Sequence, residues 1–164
     1  MKTDISSTNT PSTSTSALIE TDTDFSILDS RIRYERILVP HDGSEMSDRA
    51  LRHAVYLSKM SGTEIVILHV IERTGNFLGR TNEEGIRQML EERTNLCRKA
   101  GVKEVSYIIR SGRPADEIVR LVGERYYDLI VMASSRISST IRIILGSNAK
   151  RVLDSVPKPI LVIR

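Results

Sequence analysis

The chain contains no tryptophan, a single cysteine, five prolines, and five tyrosines and two phenylalanines as its only aromatic residues. One cysteine, Cys97, excludes an internal disulfide and a cysteine-rich metal site; its place in an apolar helical stripe predicts a half-buried packing residue. The three histidines, His41, His53 and His69, lack the paired spacing of metal ligands and are expected to cap, pack or face solvent. So few aromatics, with none interleaved among basic residues, argue against single-strand nucleic-acid binding. No apolar run is long enough to span a membrane or to form the core of a secretion signal, so a cytoplasmic location is expected.

Several motifs are also missing. There is no Gly-x-x-x-x-Gly-Lys-Ser/Thr phosphate loop, and no Gly-x-Gly-x-x-Gly follows the first apolar run. No Gly-x-Ser-x-Gly elbow is present. A phospho-accepting receiver would need an aspartate after the third strand, where Arg110-Ser111 stands. No nucleophile–base pair can be named, so catalysis is not expected.

What is present falls into two regions. Residues 1–30 hold fourteen serines and threonines with scattered apolar residues, and a disordered tail over 1–34 is expected on that composition. The remainder, 35–164, reads as one domain. Charge divides along the same line: residues 1–35 carry three basic and six acidic groups, so the whole-chain +3 becomes +6 over 36–164. A basic surplus of that size attracts phosphates.

Apolar runs and helical stripes alternate along the domain. Arg36 to Pro40 reads as a strand, followed by the turn His41-Asp42-Gly43-Ser44, in which Ser44 is an N-cap for a helix from about Glu45 to Ser61. Glu64 to Ile71 is a second strand, apolar on both faces. A helix from Glu83 to Ala100 and a strand from Val102 to Arg110, nearer a sheet edge, come next. Gly112-Arg113-Pro114 opens another helix with proline at its first position. Asp128 to Ala133 is a buried strand that leads into a hydroxyl-rich loop. Ser147 is expected to cap a helix through Asp154, and Ile160 to Ile163 forms the last strand.

Alternation of this kind implies an α/β fold: an open five-stranded parallel sheet with helices on both faces. Strand order 3-2-1-4-5 sets the ends of strands one and four side by side. Their crevice is the switch point at which open α/β sheets bind ligands. His41-Asp42 and the stretch from Ala133 to Ser147 would meet there, with phosphate held at the start of a helix.

At this point the residues carry a resemblance. Val39-Pro40-His41-Asp42-Gly43-Ser44, His69-Val70-Ile71, Gly112-Arg113-Pro114-Ala115, Asp128 to Met132, Leu145-Gly146-Ser147 and Pro157 to Ile163 together resemble a universal stress protein domain over 35–164. The resemblance implies a Rossmann-like fold of the adenine-nucleotide alpha-hydrolase type. ATP-binding members carry Gly-x-x-Gly, nine residues, then Gly-Ser/Thr; the matching positions here are Ala133, Arg136, Gly146 and Ser147.

By resemblance, Pro40, His41 and Asp42 lie by adenine and ribose, and Val70 and Met132 flank the base. Gly146, Ser147, Asn148 and Ala149 offer amides to phosphate. Alanine at position 133 is tolerable where φ is negative. At 136 a left-handed backbone would cost a non-glycine ~1–2 kcal/mol, whereas an arginine could instead grip phosphate.

The implied protein is a cytoplasmic homodimer, paired through Ile160–Ile163, that binds ATP or ADP (with magnesium accompanying the nucleotide) in stress response or signalling. Any ATP hydrolysis would be slow. The alternatives are a nucleotide-free interaction module of the same fold and a binder of another small anion.

Overall fold

A computed structural model describes residues 34–72, 83–134 and 146–164. Residues 1–33 of the expected tail, 73–82 of the loop after the second strand and 135–145 of the hydroxyl-rich loop, Arg136 among them, lie outside the described residues. The described elements are β1 (Arg36–Pro40), α1 (Glu45–Ser61), β2 (Glu64–Glu72), α2 (Glu83–Lys99), β3 (Val105–Gly112), α3 (Pro114–Glu124), β4 (Leu129–Ala133), α4 (Ser147–Ser155) and β5 (Ile160–Ile163). All strands run parallel in the order β3-β2-β1-β4-β5. That is the order expected from the sequence.

The two-faced apolar strands explain the layering. Successive strand residues point to opposite faces, so Ile37 and Val39 of β1 join one core while Leu38 between them joins the other. The first core packs Ile65, Ile67 and Val131 against Ala50, Leu51 and Ala54 of α1 and Leu90 and Cys97 of α2. The second packs Val66, Leu68, Ile130 and Met132 against Ala115, Ile118 and Leu121 of α3 and Ala149 and Val152 of α4. Each fully buried aliphatic side chain contributes about 1.5–3 kcal/mol.

Three expectations need correction. Cys97 is buried outright at 2% exposure, and burial raises its thiol to about 11, which leaves it inert near neutrality. The third strand begins at Val105 rather than Val102. Val102 instead closes α2: its N–H donates to Cys97 O at 3.1 Å while the N–H of Gly101 donates to Arg98 O at 2.9 Å, which satisfies the last helical carbonyls. Finally, Gly146 is the N-cap of α4 and makes no side-chain bond, so Ser147 is the first helical residue rather than the cap.

Candidate functional site

In a parallel sheet every strand points its C-terminal end at the N-termini of the following helices. Here that end opens into a cavity of about 440 Å³, within the range of small-molecule sites, ~300–1,000 Å³. Pro40, His41, Asp42, Val70, Met132, Ala133, Asn148 and Ala149 all line it, although they come from β1, its turn, β2, β4 and α4. Gly146 and Ser147 are not among the wall residues; they stand at the entrance of α4, directly before Asn148. Arg136 lies outside the described residues, and with it the question of clamp or obstruction.

Ala133 is the last residue of β4 and pairs with Ile163 of β5. Extended backbone has negative φ, so alanine carries no left-handed penalty at this family-glycine position. Gly146 has φ −59° and ψ 151°, a conformation open to any residue.

The β1–α1 turn is held by its own side chains. Gly43 takes φ +87°, in the region that favours glycine. The Asp42 carboxylate accepts from the Ser44 N–H at 2.9 Å, and the Ser44 hydroxyl accepts from the Ser47 N–H at 3.2 Å. Burial pushes the Asp42 carboxyl upward, but the bonds from Ser44 and Ser47 outweigh it and hold the group below the ordinary aspartate value. The ionised carboxylate has about four acceptor sites, and turn-making therefore leaves capacity for a ligand hydroxyl.

His41 lines the cavity, and its ring is 0% exposed and bonded to Asp48 at 2.9 Å. Burial lowers the imidazole's pKa and Arg93 adds to this, against the opposing pull of Asp48 and Asp42. The ring is therefore neutral at neutral pH.

Sequence reasoning missed part of the wall. His69 and Glu72 at the end of β2, Ser44, Met46 and Ser47 at the start of α1, and Pro114 and Ile118 of α3 also line the cavity. His69 adjoins Val70, so proximity to a named site residue was the available signal. Pro114 was legible as a helix start, and helix starts face the strand ends. Among the described residues, no group of three or more His, Cys, Asp or Glu could hold a metal ion.

Three of the helix N-termini at this end, those of α1, α3 and α4, differ. In α1 the Ser44 hydroxyl caps the helix and Glu45 and Asp48 occupy its first turn. The start of α3 has Asp116 and Glu117 in its first turn. In α4 there is neither a capping side chain nor an acidic residue in the first turn. The first intrahelical bond is from Lys150 N–H to Gly146 O at 2.9 Å, so the amides of Ser147, Asn148 and Ala149 have no helical acceptor. Two of those residues line the cavity. An anionic, acceptor-rich wall at Asp42 and an open helix start at α4 therefore share one space.

The sequence pattern of the universal stress protein family matches residues 33–164. The chain belongs to that family. It is similar to a universal stress protein of Methanocaldococcus jannaschii, 32% identical over 154 residues that cover 84% of this chain and 89% of the relative. Among solved structures, the universal stress protein UspA of Lactobacillus plantarum superposes with a TM-score of 0.72 at 22% identity, over 82% of this chain and all of that one. The universal stress protein of Archaeoglobus fulgidus in complex with dAMP superposes with a TM-score of 0.61 at 25% identity, over 80% of this chain and 98% of that one.

Proposed function

We propose that this chain binds an adenine nucleotide in the cavity at the ends of β1, β2 and β4, and serves as a cytoplasmic homodimer in stress response or signalling. The observation that carries the reading is the uncapped start of α4 opening into the same cavity as Asp42. Phosphate is stabilised by free amides at a helix start, and a carboxylate suits ribose hydroxyls. Pro40, Val70 and Met132 supply apolar surface for a base between those two ends. The dAMP complex of the Archaeoglobus relative supports the ligand class. The +6 balance over 36–164 favours an anionic ligand. ATP or ADP are the forms proposed, with Arg136 proposed as a phosphate contact. The described residues do not form a cation site, so any magnesium would be held chiefly by the phosphates.

Pairing through β5 is supported by its place at the sheet edge and by Leu161, 37% exposed on a strand of four apolar residues. Such an edge needs covering. No helix among the described residues is long and apolar enough to cross a membrane.

Calorimetric titration of AMP, ADP and ATP into the full chain tests the reading. Asp42→Ala is expected to weaken all three about tenfold, a loss of about 1.4 kcal/mol. Absence of binding to the unaltered chain would sink the nucleotide reading and leave an interaction module. Light scattering of Leu161→Arg, expected to be monomeric, tests the dimer.

A further inference from the structure

His41 stands where β1 gives way to the turn before α1, and each of its polar atoms is engaged. Its N–H donates to Leu68 O at 2.8 Å, and its carbonyl accepts from His69 Nδ1 at 2.8 Å. The ring nitrogen Nδ1 accepts from the Gly43 N–H at 3.1 Å, while Nε2 lies 2.9 Å from Asp48 Oδ1. An amide N–H aimed at Nδ1 requires that nitrogen to be bare, so the ring proton sits on Nε2 and is donated to Asp48. The other tautomer would set two donors face to face at Gly43 and turn a bare Nε2 toward a carboxylate. Asp48 therefore selects the tautomer that holds Gly43.

Asp48 is in turn gripped from a different helix. Arg93 of α2 donates through Nε to Oδ1 at 3.1 Å and through Nη2 to Oδ2 at 3.2 Å. This two-point geometry orients a carboxylate more tightly than a single bond does. The bonds from Arg93 and His41 outweigh burial and keep the Asp48 carboxyl below its ordinary value, so the acceptor persists throughout the neutral range. Arg93 does not line the cavity, yet through Asp48 and His41 it reaches Gly43, the residue next to Asp42.

We infer that Asp48 and Arg93 are positioning residues for the nucleoside end of the cavity: together they fix the His41 tautomer, which holds Gly43 and so aims the Asp42 carboxylate. The inference rests on the adenine-nucleotide reading of the cavity. It makes α2 an arm of the binding site. By linkage, a ligand that draws on Asp42 biases the placement of α2, and a contact that shifts α2 changes ligand affinity by the same factor.

The test pairs two readouts on the full chain, AMP affinity by calorimetry and the His41 ring nitrogens by long-range proton–nitrogen NMR. The unaltered chain is expected to show a bare Nδ1 and a protonated Nε2. Arg93→Gln is expected to weaken AMP binding about threefold to tenfold and to move the Gly43 and Ser44 amide signals, with Arg93→Lys recovering part of both. Asp48→Ala is expected to disturb the tautomer outright. Should it fail to fold, Asp48→Asn, which keeps an acceptor for Nε2 but loses the charge pair with Arg93, is expected to keep the tautomer and weaken AMP.

Unchanged affinity in Arg93→Gln, or an altered tautomer with unchanged affinity, would overturn the inference. If the unaltered chain binds no AMP, the nucleotide reading falls by itself. The positioning chain is then decided by NMR alone: Gly43 and Ser44 signals that stay put in Arg93→Gln overturn it, and signals that move uphold it.

Discussion

The starts of α1 and α4 face the same cavity and treat their backbone amides in opposite ways. At α1 the turn satisfies itself: Asp42 accepts from Ser44, Ser44 accepts from Ser47, and His41 accepts from Gly43. Two carboxylates, Glu45 and Asp48, complement the positive end of that helix. At α4 a glycine stands where a capping side chain would be, and no acidic residue follows in the first turn. A helix start that is already neutralised has little to offer an anion, whereas one left open carries partial positive charge. One end of the cavity thus presents a carboxylate and the other presents backbone amides without helical acceptors.

The most direct way to break this contrast is to close the open helix. Ser147→Asp places a carboxylate in the first turn of α4. A new like charge beside the phosphate is expected to weaken AMP binding tenfold or more, about 1.4 kcal/mol, while adenosine, which has no phosphate, loses little. The same change should stabilise the unliganded protein by about 0.3–1 kcal/mol through the helix dipole. Calorimetry with both ligands and a urea titration read the opposite signs. Equal losses for adenosine and AMP would show that α4 does not face the phosphate.

Opening the closed helix is the converse and has a smaller effect on the ligand. Ser44→Ala removes the acceptor for the Ser47 N–H and is expected to cost about 1 kcal/mol of stability, read as a lower urea midpoint with the slope unchanged. Because Asp42 also receives the Ser44 N–H, which the alanine retains, AMP affinity should fall by less than in Asp42→Ala. A larger affinity loss than in Asp42→Ala would mean that the Ser44 hydroxyl itself contacts the ligand.

The two helix starts also mark how far the sequence was legible. The layering followed from alternation and two-faced apolar runs, because Ile37-Leu38-Val39 can be buried on both sides only between two helix layers. Ser44 was identified correctly as a cap, since Asp42-Gly43-Ser44 offers one choice for the turn and one for the cap. Gly146-Ser147 offers two residues that both start helices well, and the choice between them is set by backbone geometry upstream that local preference does not encode. The same holds for Val102, whose β-branched side chain suits a strand but whose N–H is needed to close α2. The chain from His41 to Arg93 was not legible at all. Asp48 and Arg93 are 45 positions apart, and only the packing of α1 and α2 on one face of the sheet brings them together.

Acidification sharpens the comparison at the closed end alone. The folded environment lowers the pKa of His41 from 6.5, chiefly through burial, so the unfolded chain takes up a proton more readily than the folded one. Stability from this group is therefore complete above pH 6.5 and is lost as pH falls from there toward the folded value. Asp42, Asp48 and Asp128 are each lowered from 3.8 by hydrogen bonds that outweigh burial, and their contribution is lost only below pH 3.8 as each folded value is passed. A protonated His41 has no lone pair at Nδ1 for Gly43, so the Asp42 turn is expected to loosen at the acid end of this window, as the folded His41 value is passed. The urea midpoint is expected to decline below pH 6.5 in the unaltered chain and to decline less in His41→Gln, which has no titrating ring. A midpoint that rises on acidification from pH 7 to 5, or an identical decline in both proteins, would exclude His41 as the group responsible.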